Sequence, residues 1–121
     1  QIGLVNLSTE QFVLYANNAR LTEEQRAAFS KMAELKRAMD ATDSVMQTEN
    51  EARQRVFEEQ SRIRENIAAT PEGTELQRRY LRQMNELEDQ AEARKRALDA
   101  LGKRRQQQLD ELNAFIGTLK F

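Results

Sequence analysis

Residues that break helices are almost missing from this chain, and those present leave two long stretches uninterrupted. Pro71 is the only proline, and the four glycines are Gly3, Gly73, Gly102 and Gly117. Proline fixes its own φ and biases the preceding residue away from helix, while glycine enters φ > 0 without a steric cost. The run Thr70-Pro71-Glu72-Gly73-Thr74 therefore predicts a tight turn near 70–74 between two long helices. The first is expected over about 22–69. Thr22 followed by Gln25 fits a capping box, and Glu23 and Glu24 complement the helix dipole. The second is expected over about 74–119, with Thr74 as its N-cap. Helices of this length point to a coiled coil.

Hydrophobic spacing supports that expectation. Met32, Leu35, Met39, Thr42, Met46, Glu49, Arg53, Val56, Gln60, Ile63 and Ile67 follow alternating steps of three and four. Tyr80, Met84, Leu87, Ala91, Arg94, Leu98, Leu101, Arg105, Gln108, Leu112, Phe115 and Leu119 do nearly the same. This is a heptad seam, apolar at both ends and polar in its middle. A turn centred near Glu72 sets the register of an antiparallel pair. Ile67 then meets Leu76, Ile63 meets Tyr80, Met46 meets Leu98 and Met32 meets Leu112. Glu49 falls opposite Arg94, so the charges that interrupt the two stripes face each other. A slip of one heptad would set Glu49 against Leu87 or Leu101 and leave a charge against an apolar layer, which is costly.

Residues 1–21 form a separate segment of linker and short helix. Ser8, Thr9, Glu10 and Gln11 fit a second cap, followed by Phe12, Val13, Leu14, Tyr15 and Ala16, and Asn17-Asn18 closes the turn. A short helix is expected there, packed at the base of the hairpin (22–121) beside Phe29, Phe115, Ile116, Leu119 and Phe121. Residues 1–7 are expected as a strand or linker. The start lacks the basic and apolar regions of a signal peptide and an initiator Met, and reads as a cut edge or a processed end. The fold class expected is thus all-α: a long antiparallel two-helix coiled-coil hairpin with a short N-terminal helix at its base.

Composition narrows the chemistry. Charged residues are 32% of the chain and aromatics 6%, too polar for a thick core, yet spaced Leu, Met, Ile and Phe argue against disorder. With no cysteine or histidine, disulfides, thiolate metal sites and histidine-based catalysis are excluded. Acidic neighbours such as Glu58-Glu59 and Glu88-Asp89 point apart on a helix and read as solvated faces. Glycine-rich phosphate loops and transmembrane stretches are absent. The clusters Arg78-Arg79, Arg94-Lys95-Arg96 and Lys103-Arg104-Arg105 raise the alternative of a nucleic-acid-binding arm. Interleaved acids and a net charge of -1 favour a salt-bridged coiled coil instead. No catalytic residue, cofactor, metal or small-molecule substrate is expected.

The polar seam residues have two readings. They fix register at a cost in stability, or they belong to a face that a second chain completes. Ala38, Val45, Ala52 and Phe57 flank one stripe, and Leu81, Leu109 and Ile116 the other. Two helices cannot cover all of them, so a protein partner, either another domain or chain or a homodimer mate, is expected. Gly102 in mid-helix either permits a close approach or is simply tolerated.

One pattern carries a resemblance: Arg64-x-Asn66, the turn, then Arg79-Tyr80, Asn85 and Glu88-Asp89, with Tyr15-Ala16-Asn17-Asn18 upstream. It resembles the C-terminal helical hairpin of an uncharacterised bacterial family of presumed cell-envelope proteins, a domain of unknown function. That resemblance implies an exported bacterial parent, a cell-envelope or periplasmic location and no known enzymatic activity. Arg64, Asn66, Tyr80, Asn85, Glu88 and Asp89 are expected to cap and lock the hairpin tip, with a partner surface there as the sharper alternative. The function expected is a non-enzymatic structural or protein-interaction arm, with a nucleic-acid-binding arm or a homo-oligomerisation module as alternatives.

Overall fold

The computed structural model describes residues 3–120, and over that span the chain is all-helical, with no strand among the described residues. A 3₁₀ turn (Leu4–Asn6) precedes α1 (Thr9–Ala16), α2 (Glu23–Ala69) and α3 (Glu75–Gly117). Helices α2 and α3 form a helical hairpin, and α1 is the short N-terminal helix. Residues 4–6 wind into the 3₁₀ turn and not into a strand, one of the two expectations there, and Leu4, Val5 and Leu7 pack on the adjoining core. Burial of those apolar side chains selects the turn, because an isolated strand has no ladder partner.

Each helix starts where its cap chemistry dictates. Ser8 accepts from the Gln11 amide at 3.1 Å while the Gln11 side chain accepts from the Ser8 amide at 2.8 Å. Thr22 and Gln25 repeat this reciprocal pair ahead of α2, both at 3.0 Å. Thr74 caps α3 by accepting from the Gln77 amide at 3.1 Å. In each case a side chain satisfies an amide that the helix itself cannot. Between α2 and α3, Gly73 adopts φ +76°, the left-handed region that any Cβ would disfavour.

The chain divides into two compact units, each crossed by both long helices. The terminal unit comprises residues 3–44 and 102–120 of those described. Its core is Phe12, Phe29, Met32, Ala33, Leu35, Met39 and Leu112, with Leu109, Phe115, Ile116 and Leu119 packed around it. Helix α1 inserts Phe12, which is fully buried, and its ring lies 6.4 Å from that of Phe29. Tyr15 stacks on Phe29 at 4.9 Å, and Thr9 donates to Asp40 at 2.7 Å. Phe121, expected in this cluster, lies outside the described residues, as do Gln1 and Ile2.

The turn unit spans Val45–Leu101. It has a thinner core, in which buried Val56, Ile63 and Leu87 are joined by Ile67, Tyr80, Met84 and Ala91. Leu76, expected against Ile67, is 47% exposed instead. Stepping back along α3 from Leu87 through Met84 and Tyr80, the seam reaches Gln77, not Leu76. The Gln77 side chain there turns to the loop and accepts from the Gly73 amide at 3.0 Å.

Candidate interaction surface

Two polar pairs bridge the seam, Glu49 with Arg94 in the turn unit and Thr42 with Gln108 in the terminal unit. In the turn unit Arg94 Nη1 donates to both carboxylate oxygens of Glu49 at 3.2 Å. The Glu49 side chain is 19% exposed and that of Arg94 44%, so the pair sits at the margin of the seam. In the terminal unit Thr42 is buried and donates to Gln108 Oε1 at 2.8 Å, while Gln108 Nε2 donates to the Ala38 carbonyl at 3.3 Å. Arg105 Nε donates to Asp43 at 2.6 Å. Cα–Cβ bonds tilt toward each helix's N-terminus, so facing side chains of antiparallel helices lean past each other. Asp43, one position off the stripe, can therefore reach Arg105. A scan confined to the stripe passes over Asp43, and its only signal is an acid adjoining a seam residue.

The six residues singled out around the turn are divided between two environments. Tyr80 is half-buried against the turn-unit core. Asn66 is half-buried, and its carbonyl accepts from the Thr70 hydroxyl. Arg64, Asn85, Glu88 and Asp89 are exposed, and none of their side chains makes a hydrogen bond or ion pair among the described residues. The turn is tied by other side chains. Thr74 Oγ1 donates to the Pro71 carbonyl at 2.8 Å, and Arg78 Nη1 to the Gly73 carbonyl at 2.9 Å. Thr74 and Gln77 could be found from capping rules alone, whereas the reach of Arg78 back to Gly73 carries no sequence signature.

Exposed large apolar side chains remain on both units: Leu14 and Tyr15 on α1, and Val45, Phe57, Leu76 and Leu81 in the turn unit. Phe57 is 39% exposed and carries the Arg53 guanidinium 5.0 Å from its ring centroid. Arg53 Nε is buried without a hydrogen-bond partner, so the cation rests on the aromatic face. Nearby, Glu59 and Arg62 form a forked ion pair. The hydrogen bond from Arg62 holds the Glu59 carboxyl below its ordinary pKa, and Glu59 in turn raises that of Arg62.

Cavities are shallow and open. One of about 370 Å³ lies among Thr22, Gln25, Ala28, Thr118 and Leu119 in the terminal unit. Among the described residues no three acidic side chains converge as a metal site would require. No described helix is long and apolar enough to cross a membrane. No protein-family model, curated protein or solved structure matches the chain.

Proposed function

We propose that this chain is a non-enzymatic arm of a larger bacterial protein, working by presenting a helical surface to another protein. The observation that carries the reading is the set of large apolar side chains left in water on the turn unit, Val45, Phe57, Leu76 and Leu81. Scattered apolar exposure is ordinary on protein surfaces. Here the four side chains lie outside the core of Val56, Ile63 and Leu87, so they are not what holds α2 against α3 in the turn unit. The resemblance of the turn region to cell-envelope proteins of unknown function supplies the bacterial, exported setting of the proposal. The nucleic-acid alternative is weakened because Glu86, Glu88, Asp89, Glu92 and Asp99 interleave with the basic clusters of α3 and the net charge is -1, which leaves no continuous positive stripe for a phosphate backbone.

A photo-cross-linking amino acid placed singly at Phe57, Leu81 or Glu51 of the full chain in cells tests the reading. Discrete protein adducts are expected from the first two positions and not from Glu51. Absence of adducts at both apolar positions would overturn the proposal.

A further inference from the structure

We infer that one edge of the turn unit pairs with a second copy of this chain, two-fold and antiparallel, an inference that rests on the interaction-arm reading. Phe57 follows the seam residue Arg53 by one helical turn, and Leu81 follows Gln77 likewise. In an antiparallel pair such positions border the same edge of the seam. Their neighbours on that edge of α2 are Asn50, Gln54, Ser61 and Arg64, all exposed. Arg64 is the only charge on the α2 side, in a chain that is 32% charged. Aromatic and Arg enrichment with few other charges is what the centre of a protein interface shows.

The α3 side of the edge says what fits. Arg78, Leu81, Asn85, Glu88, Glu92 and Lys95 are all exposed along it. Because Glu49 meets Arg94, Phe57 lies level with Glu86 of α3. A two-fold axis crossing the edge near Met84 brings Phe57 of one copy level with Leu81 of the second. The same axis sets Arg78 of one copy between Glu88 and Glu92 of the second, and each contact occurs twice. An apolar condition and an ionic condition thus select one axis. It carries Lys95 past the N-terminal end of the second copy's α3. It also places Arg64 opposite Gln54 of the second copy, so no like charges are apposed along α2. Every helix then has antiparallel neighbours, the arrangement of an up-down four-helix bundle. The Arg78 side chain is 55% exposed; its Nη1 stays on the Gly73 carbonyl, while Nε and Nη2 hold exposed Glu75, and only that surface ion pair is exchanged, at little cost.

Sedimentation equilibrium of the full chain, with far-UV circular dichroism as a check on folding, tests this. The parent chain is expected to dimerise with concentration. Phe57→Asp and Arg78→Glu are each expected to weaken dimerisation about tenfold or more. Arg78→Glu combined with Glu88→Arg and Glu92→Arg is expected to restore it. A parent chain that stays monomeric overturns the inference, and adducts to a different protein in the cross-linking experiment would then leave the interaction arm standing. A dimer indifferent to Phe57→Asp, or a charge swap that fails to restore pairing, also overturns it. Should Phe57→Asp unfold the chain, Glu88→Arg with Glu92→Arg, which leaves the tie from Arg78 to the Gly73 carbonyl intact and is expected to weaken dimerisation likewise, carries the decision.

Discussion

At the scale of single residues, Gly102 and Glu59 show how local surroundings decide the effect of a substitution. Gly102 lies inside α3, and a Cβ built on it would meet nothing within 4 Å. The close approach considered from sequence is therefore absent, and the glycine only loosens the helix. Gly102→Ala is expected to stabilise the chain by about 1 kcal/mol, read from chemical denaturation. Glu59 behaves differently because its carboxylate accepts from Arg62. Its folded pKa is depressed, so the stabilisation is present above the unfolded pKa and is lost as pH falls through the folded pKa. Side-chain NMR titration is expected to give Glu59 a midpoint below the ordinary glutamate value, and Arg62→Gln is expected to move it upward. An unmoved midpoint would show that the fork does not persist in solution.

At the scale of elements, α1 depends on the surface it covers. Its eight residues are too few for a helix to persist alone in water. What fixes it is the capping box at Ser8, the Thr9–Asp40 hydrogen bond and above all the buried Phe12 ring. Phe12→Ala is expected to cost about 3–5 kcal/mol in a denaturant melt and to abolish the ring contact with Phe29. The long helices stand on a different footing, since their seam contacts recur with each heptad and no single one dominates.

At the scale of the whole molecule, the sequence was most legible where one physical rule acts alone. The turn, the three N-caps and the stripe of seam residues all follow from backbone sterics, orphan amides and helical period. Facing of Glu49 and Arg94 followed from counting away from the turn. Legibility failed where counting ignored the helical step and where side chains had a choice. Counting residues evenly from the turn set Leu76 against Ile67, whereas the helical step from Leu87 through Tyr80 puts Gln77 on the seam and leaves Leu76 in solvent. Asp43 captured Arg105 from outside the stripe. Around the turn, Arg78 and Thr74 make the ties, while Arg64, Asn85, Glu88 and Asp89 stay in water. Hydrogen-bond geometry selected Asp43 for Arg105 and Gly73 for Arg78, and a one-dimensional pattern does not encode it.

Three polar pairings across the two long helices, Thr42–Gln108, Asp43–Arg105 and Glu49–Arg94, act as a vernier. Insert a heptad into α2 alone, between its mate positions and the turn, and all three lose their partners at once. Length variation in descendants of this chain should therefore come as matched insertions or deletions on the two arms. A lone indel would be tolerated only outside the span that these pairs and the turn enclose.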